Sequence, residues 1–385
     1  MKHVLQRMLI VAAIASLVVS AWANPPGDPA WIARGKSEMV AADSEFASKA
    51  GLMVLEAGGN AIDAAEAVSF ALAVTRPYST GLGGGGFMIA RMADGNTIVQ
   101  DFRETAPAAA TPDMFVKAKN AQPDAPSPSE FGFLAVAVPG LVAGRCQALA
   151  QWGTLPLEKV LQPAIDLARD GFPVDDDYVR TTKEVLKTYD SHPSLKASCG
   201  YVYRTHLGNG NLRHVGDKLV QPELARLLEG LASGGPEFFY KGAVAADIVR
   251  AMKQHGGIIS EKDLATYQPA ELQPYSSTYR DYKLILMPPP SSGGIAIAES
   301  LNILEPPGFA NIAMNDVGLA THLQVEALKH AFADRGRLPV PQPERFLSKS
   351  YARELADKLN REKTAAVESY GISNLNDSGT SHFSI

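Results

Sequence analysis

The segment NAIDAAEAVSFALAVTRP, residues 60–77, is apolar or small on almost every side when drawn as a helix. Asn60 is a favoured N-cap residue, Asp63 stands at the third helical position, and Pro77 follows the last helical turn. A helix that is apolar all round must be covered by other elements. The segment therefore predicts a helix inside a layered fold rather than on its surface.

The neighbouring segments mix helices with short strands. SEFASKAGLMVLEAGG predicts a helix that ends at Gly58-Gly59, and FMIARMADGNTIVQDF predicts a hairpin around an Asp-Gly turn. LAVAVPG predicts a short buried strand, and two helices are predicted over about 141–152 and 157–170. Strands and helices do not alternate regularly as they do in a doubly wound fold, so the pattern favours layered α+β.

The second half of the chain continues this mixture. Residues from about 175 to 270 are more polar and predict helices. YKLILMPPPSSGGIAIAESLNIL predicts a strand, a rigid turn and a helix, and THLQVEALKHAFADR and SKSYARELADKLNRE predict two more helices. The final TSHFSI alternates small or polar residues with larger ones, which is typical of a half-buried strand.

The first 23 residues have the pattern of a secretory signal peptide. Lys2 and Arg7 precede an apolar stretch from Met8 to Val19, and Ala21-Trp22-Ala23 matches a cleavage site. An uncleaved membrane anchor is the alternative, but the apolar run is shorter than the roughly 20 residues that span a bilayer. We expect a mature protein that begins at Asn24 and is periplasmic or secreted, without a membrane partner.

The formal net charge is -5, and no basic run suggests a nucleic-acid partner. The two cysteines are too few for a disulfide framework, and the eight histidines lack metal-ligand spacing, so we expect no metal and no cofactor. Cys146, in an apolar helical stretch, is interpreted as a buried small side chain.

GLGGGGFM contains Gly81-x-Gly83-x-x-Gly86, which formally matches the dinucleotide fingerprint. That fingerprint needs a strand before the loop and a helix after it, and the predicted order is the reverse. We therefore expect a tight helix-to-strand connection with positive φ values at glycine. Another possibility is that the bare backbone lets a second segment approach closely.

Gly379-Thr380 begins the terminal segment. A Thr hydroxyl is a weak nucleophile without a base beside it, and one solution is a Thr at a chain N-terminus, whose own α-amine is the base. Exposing that amine requires cleavage of the preceding peptide bond, and glycine there least obstructs attack by the hydroxyl. The dipeptide alone is too common to carry this assignment.

Ten stretches in order along the chain resemble the precursor of a γ-glutamyltransferase (γ-glutamyl transpeptidase), an N-terminal-nucleophile hydrolase. They run from about Met39 to the last residue: EAGGNAIDAA, GLGGGGFM, DFRETAP, VPG, QPAIDLARDGF, FYKG, GGIISEKDLATY, MPPPSSGG, ADR and TSHFS. The resemblance implies an αββα layered sandwich and a precursor that cleaves itself into a large and a small subunit. It also implies transfer of γ-glutamyl groups from glutathione and related compounds to water, amino acids or peptides.

The resemblance places two functional residues and one cleavage site. Thr380 corresponds to the self-processing residue and catalytic nucleophile, and Gly379-Thr380 to the cleaved bond. Arg103 in DFRETAP corresponds to the residue that binds the α-carboxylate of the γ-glutamyl group, for which a guanidinium fork is suited. Without the resemblance, Arg103 would be assigned to an ion pair with Asp101 or Glu104. His382 is expected to support the strand rather than act as a base.

The resemblance also implies a division of the chain. Residues 1–23 are the signal peptide, 24–379 the large subunit, and 380–385 a truncated start of the small subunit. Since most of the small subunit would then be missing, we expect the 385-residue chain alone to have an incomplete fold and to be inactive. The alternative is a non-catalytic periplasmic binding protein, or pseudoenzyme, that retains the large-subunit scaffold.

Overall fold

The computed structural model describes residues 32–306, 308–336, 343–366 and 380–385. The predicted signal peptide, Gly379 and most of the Pro-rich segment after Arg335 lie outside these residues. The helices, in chain order, are α1 (Glu45–Glu56), α2 (Ala61–Thr75), α3 (Met114–Ala121), α4 (Leu141–Trp152), α5 (Leu157–Asp170), α6 (Asp176–Ser191), α7 (Ser194–Ser198), α8 (Gly200–Thr205), α9 (Pro222–Tyr240), α10 (Ala243–His255), α11 (Glu261–Thr266), α12 (Gly293–Leu304), α13 (Phe309–Asn315), α14 (Val317–Arg335) and α15 (Lys349–Ala356).

The strands are short, and their pairings in the described residues are antiparallel. They are β1 (Ala41–Ala42), β2 (Phe87–Arg91), β3 (Thr97–Asp101), β4 (Phe172–Pro173), β5 (Lys218–Leu219), β6 (Ala270–Glu271), β7 (Tyr275–Tyr279), β8 (Tyr282–Leu286) and β9 (Phe383–Ser384). The sheets have the strand orders β1-β9, β2-β3-β6, β4-β5 and β7-β8. The α+β prediction is confirmed.

Helix α2 lies in the interior, as predicted: every residue from Ile62 to Thr75 is buried. Its start is a capping box, in which the Asn60 side chain accepts from the amides of Ile62 and Asp63, and Asp63 accepts from the Asn60 amide. The same Asp63 carboxylate accepts hydrogen bonds from Thr154 and Leu155 in the turn between α4 and α5. One local signal therefore both begins the helix and anchors it to the next layer.

The core forms around α2. One apolar cluster joins it to α4, α5, α9 and α10, and includes Phe70, Leu141 and Leu228. A second joins α1, α2 and α5, and Phe383 of the terminal strand packs against it. A third lies among α12, α14 and α15. Cys146 is 7% exposed and belongs to the first cluster, which confirms its interpretation as a buried apolar side chain.

Two predicted elements differ from the structure. LAVAVPG is not a strand: its first two residues belong to a 3-10 turn at Phe133–Ala135, and Val138 forms a single antiparallel bridge with Thr105. An extended segment becomes a strand only where a partner continues beside it, and here the pairing ends after one residue. The helix predicted over SKSYARELADKLNRE is also shorter in the structure, because α15 ends at Ala356.

Within the described residues, none of the helices combines the length and hydrophobicity that a bilayer span requires.

Candidate functional site

The glycine loop connects α2 to β2, so the order opposite to that of a nucleotide fingerprint is confirmed. The expectation of positive φ is wrong, because none of the loop glycines from Gly81 to Gly86 lies in the left-handed region. Close approach, the other possibility, explains Gly85, whereas a Cβ at Gly81 or Gly83 would meet nothing within 4 Å. A Cβ at Gly85 would lie 2.5 Å from the Phe102 carbonyl oxygen and 2.8 Å from the Arg103 Cα. Real Cβ atoms do not approach so closely, so the loop must be glycine where the DFRET segment crosses it.

The other side of the loop is fixed by the start of α4. The Gly84 carbonyl accepts hydrogen bonds from the amides of Gly140 and Leu141, at 2.9 and 2.8 Å. Gly86 and Phe102 exchange two backbone hydrogen bonds. The loop, the VPG turn and the DFRET segment therefore form one hydrogen-bonded unit, and Arg103 lies at its surface.

Arg103 has a fixed backbone and an exposed side chain. Its amide donates to Asp101 Oδ1 at 2.8 Å, and its carbonyl accepts from the Tyr267 hydroxyl at 2.8 Å. In the described part of the chain its guanidinium makes no ion pair, although it lies 5.9 Å from the centroid of the Phe87 ring. The pairing with Asp101 or Glu104 that Arg103 would have had without the family resemblance is not observed. As far as the described residues go, the exposed guanidinium can therefore receive an anion.

Thr380 is exposed and lies three positions before the first residue of the terminal strand. Phe383 pairs with Ala42 and Ser384 with Ala41, so β9 is anchored to β1 at the edge of α1. The Nε2 atom of His382 lies 3.1 Å from Ser384 Oγ, a contact within the strand segment. Gly379 lies outside the described residues, and its bond to Thr380 therefore stays a sequence prediction.

The side chain of Arg145 connects the Arg103 segment with the Thr380 segment. Its guanidinium carbon lies 4.2 Å from the centroid of the Phe102 ring and 5.7 Å from that of Phe383. Phe102 immediately precedes Arg103, and Phe383 follows Thr380 by three positions. The segments that carry Arg103 and Thr380 therefore meet at the buried guanidinium of Arg145.

The carboxylate facing Arg145 is Glu66 of α2, at 3.4 Å, and both side chains are buried. Burial raises the pKa of Glu66 to about 8, and the nearby Arg145 charge only partly opposes this shift. Glu66 Oε2 and Arg145 Nε have no hydrogen-bond partner among the described residues. Glu66 is thus mainly protonated at neutral pH, and the pair is a weak one.

The sequence motifs do not indicate that Arg145, Glu66 or Tyr267 neighbours the site. A signal for the first two was present: each is a charged residue in the middle of a helix of mostly apolar or small residues, and only Asp63, at the capped start of α2, is charged besides them in these two helices. A buried charge needs a partner, so two such charges of opposite sign could have been paired. Tyr267 has no comparable local signal.

The comparisons with known proteins agree with this architecture. A family model described as gamma-glutamyltranspeptidase matches residues 47–385. A glutathione hydrolase proenzyme of Escherichia coli strain K12 is 40% identical over 406 residues, covering 99% of this chain and 67% of that protein. One from Pseudomonas sp. strain A14 is 38% identical over 361 residues, covering 90% of this chain and 60% of that protein.

A solved structure gives the same result. The crystal structure of Helicobacter pylori gamma-glutamyltranspeptidase has a TM-score of 0.77 and 35% identity, and the match covers 88% of this chain and 96% of that chain. Such a match identifies the α+β architecture as the fold of the N-terminal-nucleophile hydrolases. The chain belongs to the gamma-glutamyltranspeptidase family, which is a family of enzymes.

Proposed function

We propose that the polypeptide cleaves itself before Thr380 and then transfers γ-glutamyl groups from glutathione and related compounds to water, amino acids or peptides. Family membership supports this proposal, together with an exposed Thr380 that lies three positions before the anchored strand β9. Residues 24–379 form the large subunit and Thr380 begins the small one. With the signal peptide at 1–23, the mature enzyme is periplasmic or secreted.

Self-cleavage begins with the Thr380 hydroxyl, which attacks the carbonyl carbon of Gly379. The peptide C–N bond breaks, the nitrogen takes up the hydroxyl proton, and an ester joins Gly379 to the Thr380 oxygen. Water hydrolyses that ester, which leaves a carboxylate on Gly379 and a free α-amine on Thr380. The amine has an ordinary pKa of about 7.7–8.0, which suits a general base at neutral pH.

In catalysis, the α-amine accepts the hydroxyl proton while the Thr380 oxygen attacks the γ-glutamyl carbonyl. The amide C–N bond breaks, the departing amine takes the proton, and the γ-glutamyl group remains as an ester on Thr380. Water or an acceptor amine then attacks the ester and restores the hydroxyl. Arg103 binds the substrate α-carboxylate through two parallel charge-assisted hydrogen bonds.

The test uses the polypeptide expressed from its complete gene. Mass spectrometry should find a new N-terminus at Thr380, and the product should release the chromophore from γ-glutamyl-p-nitroanilide. Thr380→Ala should abolish both events, whereas Thr380→Ser, which keeps a hydroxyl, should retain cleavage at a reduced rate. An uncleaved, inert wild type would support the non-catalytic binding protein, and cleavage of Thr380→Ala would refute the assigned nucleophile.

A further inference from the structure

The hydroxyl of Tyr267 holds the backbone of Arg103 at its carbonyl, whereas Asp101 holds it at its amide. Tyr267 follows α11 directly and donates to the Arg103 carbonyl at 2.8 Å. Asp263, in the same helix, accepts from the Ala108 amide at 2.9 Å. The helix and the residue that follows it therefore contact residues 101–108 at two points.

The Tyr267 ring is itself fixed in place. It stacks on the ring of Tyr240, with centroids 6.0 Å apart and planes 8° from parallel. The Tyr240 hydroxyl donates to the Pro139 carbonyl and accepts from the Ala143 amide. The phenol that holds Arg103 is thus connected through Tyr240 to the start of α4.

The space for this contact depends on Gly140. A Cβ at that position would lie 2.3 Å from the Tyr267 hydroxyl oxygen and 2.0 Å from the Phe102 carbonyl oxygen. Partial burial and the charges of Asp101 and Glu104 raise the pKa of Tyr267. The phenol stays protonated in the physiological range and remains a hydrogen-bond donor.

We infer that Tyr267 is a positioning residue for substrate binding, because its hydroxyl fixes the Arg103 carbonyl and so directs the guanidinium toward the substrate α-carboxylate. The inference rests on the proposed function. A bidentate contact requires a defined orientation of the guanidinium plane, and a backbone held at both its amide and its carbonyl supplies that orientation before substrate arrives. Among the described residues, loss of the phenol hydrogen bond leaves the Arg103 backbone held by Asp101 at its amide alone.

The experiment compares Tyr267→Phe with Tyr282→Phe in the polypeptide from the complete gene. Tyr267→Phe keeps the ring on Tyr240 and removes only the hydroxyl, while Tyr282 is 71% exposed and provides a matched control. We expect Tyr267→Phe to raise KM for γ-glutamyl-p-nitroanilide about threefold to tenfold, as loss of one hydrogen bond does. Self-cleavage before Thr380 should remain, and kcat should change less than KM.

A second readout does not need catalysis. Hydrogen exchange of the peptide spanning residues 101–107 should be several-fold faster in Tyr267→Phe than in the wild type, and unchanged in Tyr282→Phe. Unchanged exchange would overturn the inference whether or not the wild type is active. Faster exchange with an unchanged KM in an active enzyme would also overturn it. A wild type without turnover would instead count against the proposed function, and the exchange data would still decide the role of Tyr267.

Discussion

The guanidinium of Arg145 lies over the ring of Phe102 and reaches Glu66 at 3.4 Å in a fully buried position. The contact joins α4 to α2, and it includes Phe102, which immediately precedes Arg103 in the chain. Because the same guanidinium also faces Phe383, the terminal strand and the DFRET segment share one support. A change in the contacts of Arg145 is therefore expected to affect the segments that carry both Arg103 and Thr380.

The first prediction concerns Glu66 and pH. Its pKa is raised to about 8 in the folded protein from an ordinary 4.5, so the folded state favours the protonated carboxyl. The contribution of the protonated Glu66 carboxyl to the free energy of unfolding is complete below about pH 4.5 and is lost as pH rises to about 8. Over that range the free energy of unfolding falls by at most about 1.4 kcal/mol per pH unit. Glu66→Gln, which cannot ionise, should lack this loss.

Denaturant unfolding of the wild type and Glu66→Gln at intervals from pH 4 to 9 provides the measurement. The difference in unfolding free energy should shift in favour of the variant as pH rises. A difference that stays constant across this range would show that Glu66 does not titrate with a raised pKa.

The second prediction concerns the net value of the Arg145–Glu66 pair. Arg145→Met should destabilise the protein by about 1–3 kcal/mol, since it removes the guanidinium that faces Glu66 and stacks on Phe102. Buried ion pairs often contribute little compared with apolar side chains of similar volume. Combining Arg145→Met with Glu66→Leu should therefore recover most of the loss.

Chemical unfolding of both single variants and the double variant measures this coupling. Arg180→Met is the control, because Arg180 is exposed and its ion pair is at the surface. A double variant less stable than either single change would mean that the ion pair is worth more than an apolar contact.

The third prediction concerns Arg103. Arg103→Ala should raise KM for γ-glutamyl substrates by roughly tenfold to a hundredfold, because charge-assisted hydrogen bonds contribute about 1.5–3 kcal/mol. Self-cleavage should persist, since it does not use the substrate carboxylate. Steady-state kinetics against Arg91→Ala, an exposed arginine in the adjacent hairpin, checks the effect. An unchanged KM in Arg103→Ala would remove this residue from the site.

The fourth prediction separates two glycines of the same region. Gly140→Ala should destabilise the fold by about 1–3 kcal/mol or more, because the new methyl group would collide with the Phe102 carbonyl. Gly81→Ala should be neutral or slightly stabilising, since its Cβ would meet nothing within 4 Å and its φ is not left-handed. Thermal melting of the two variants should differ clearly. Equal melting temperatures would contradict the close approach at Gly140.

Local signals predicted most of the secondary structure. The bounds of α4 and α5 agree with the sequence prediction because glycine and proline mark their ends. The Asp-Gly turn produced the β2–β3 hairpin, and Asn60 with Asp63 began α2. These features depend on contacts within a few residues, which the order of the side chains determines.

The residues of the candidate site also fall into two groups, those that the sequence indicated and those that only the structure revealed. Thr380 and Arg103 were identified from motifs in the sequence, whereas their supports were found only in the structure. Tyr267 is 164 positions from Arg103, and Arg145 is 79 positions from Glu66. Likewise, the sequence left open whether the glycines of GLGGGG adopt positive φ or admit a second segment, and the structure shows a crossing backbone at Gly85.

The sequence by itself thus determined which segments form helices and hairpins, and which residues can supply a hydroxyl and a guanidinium. The tertiary structure alone decided which distant side chains hold those groups, and which glycines must lack a Cβ. The reason is physical: capping and periodicity act over a few residues, whereas stacking, burial and close approach depend on how distant segments pack together.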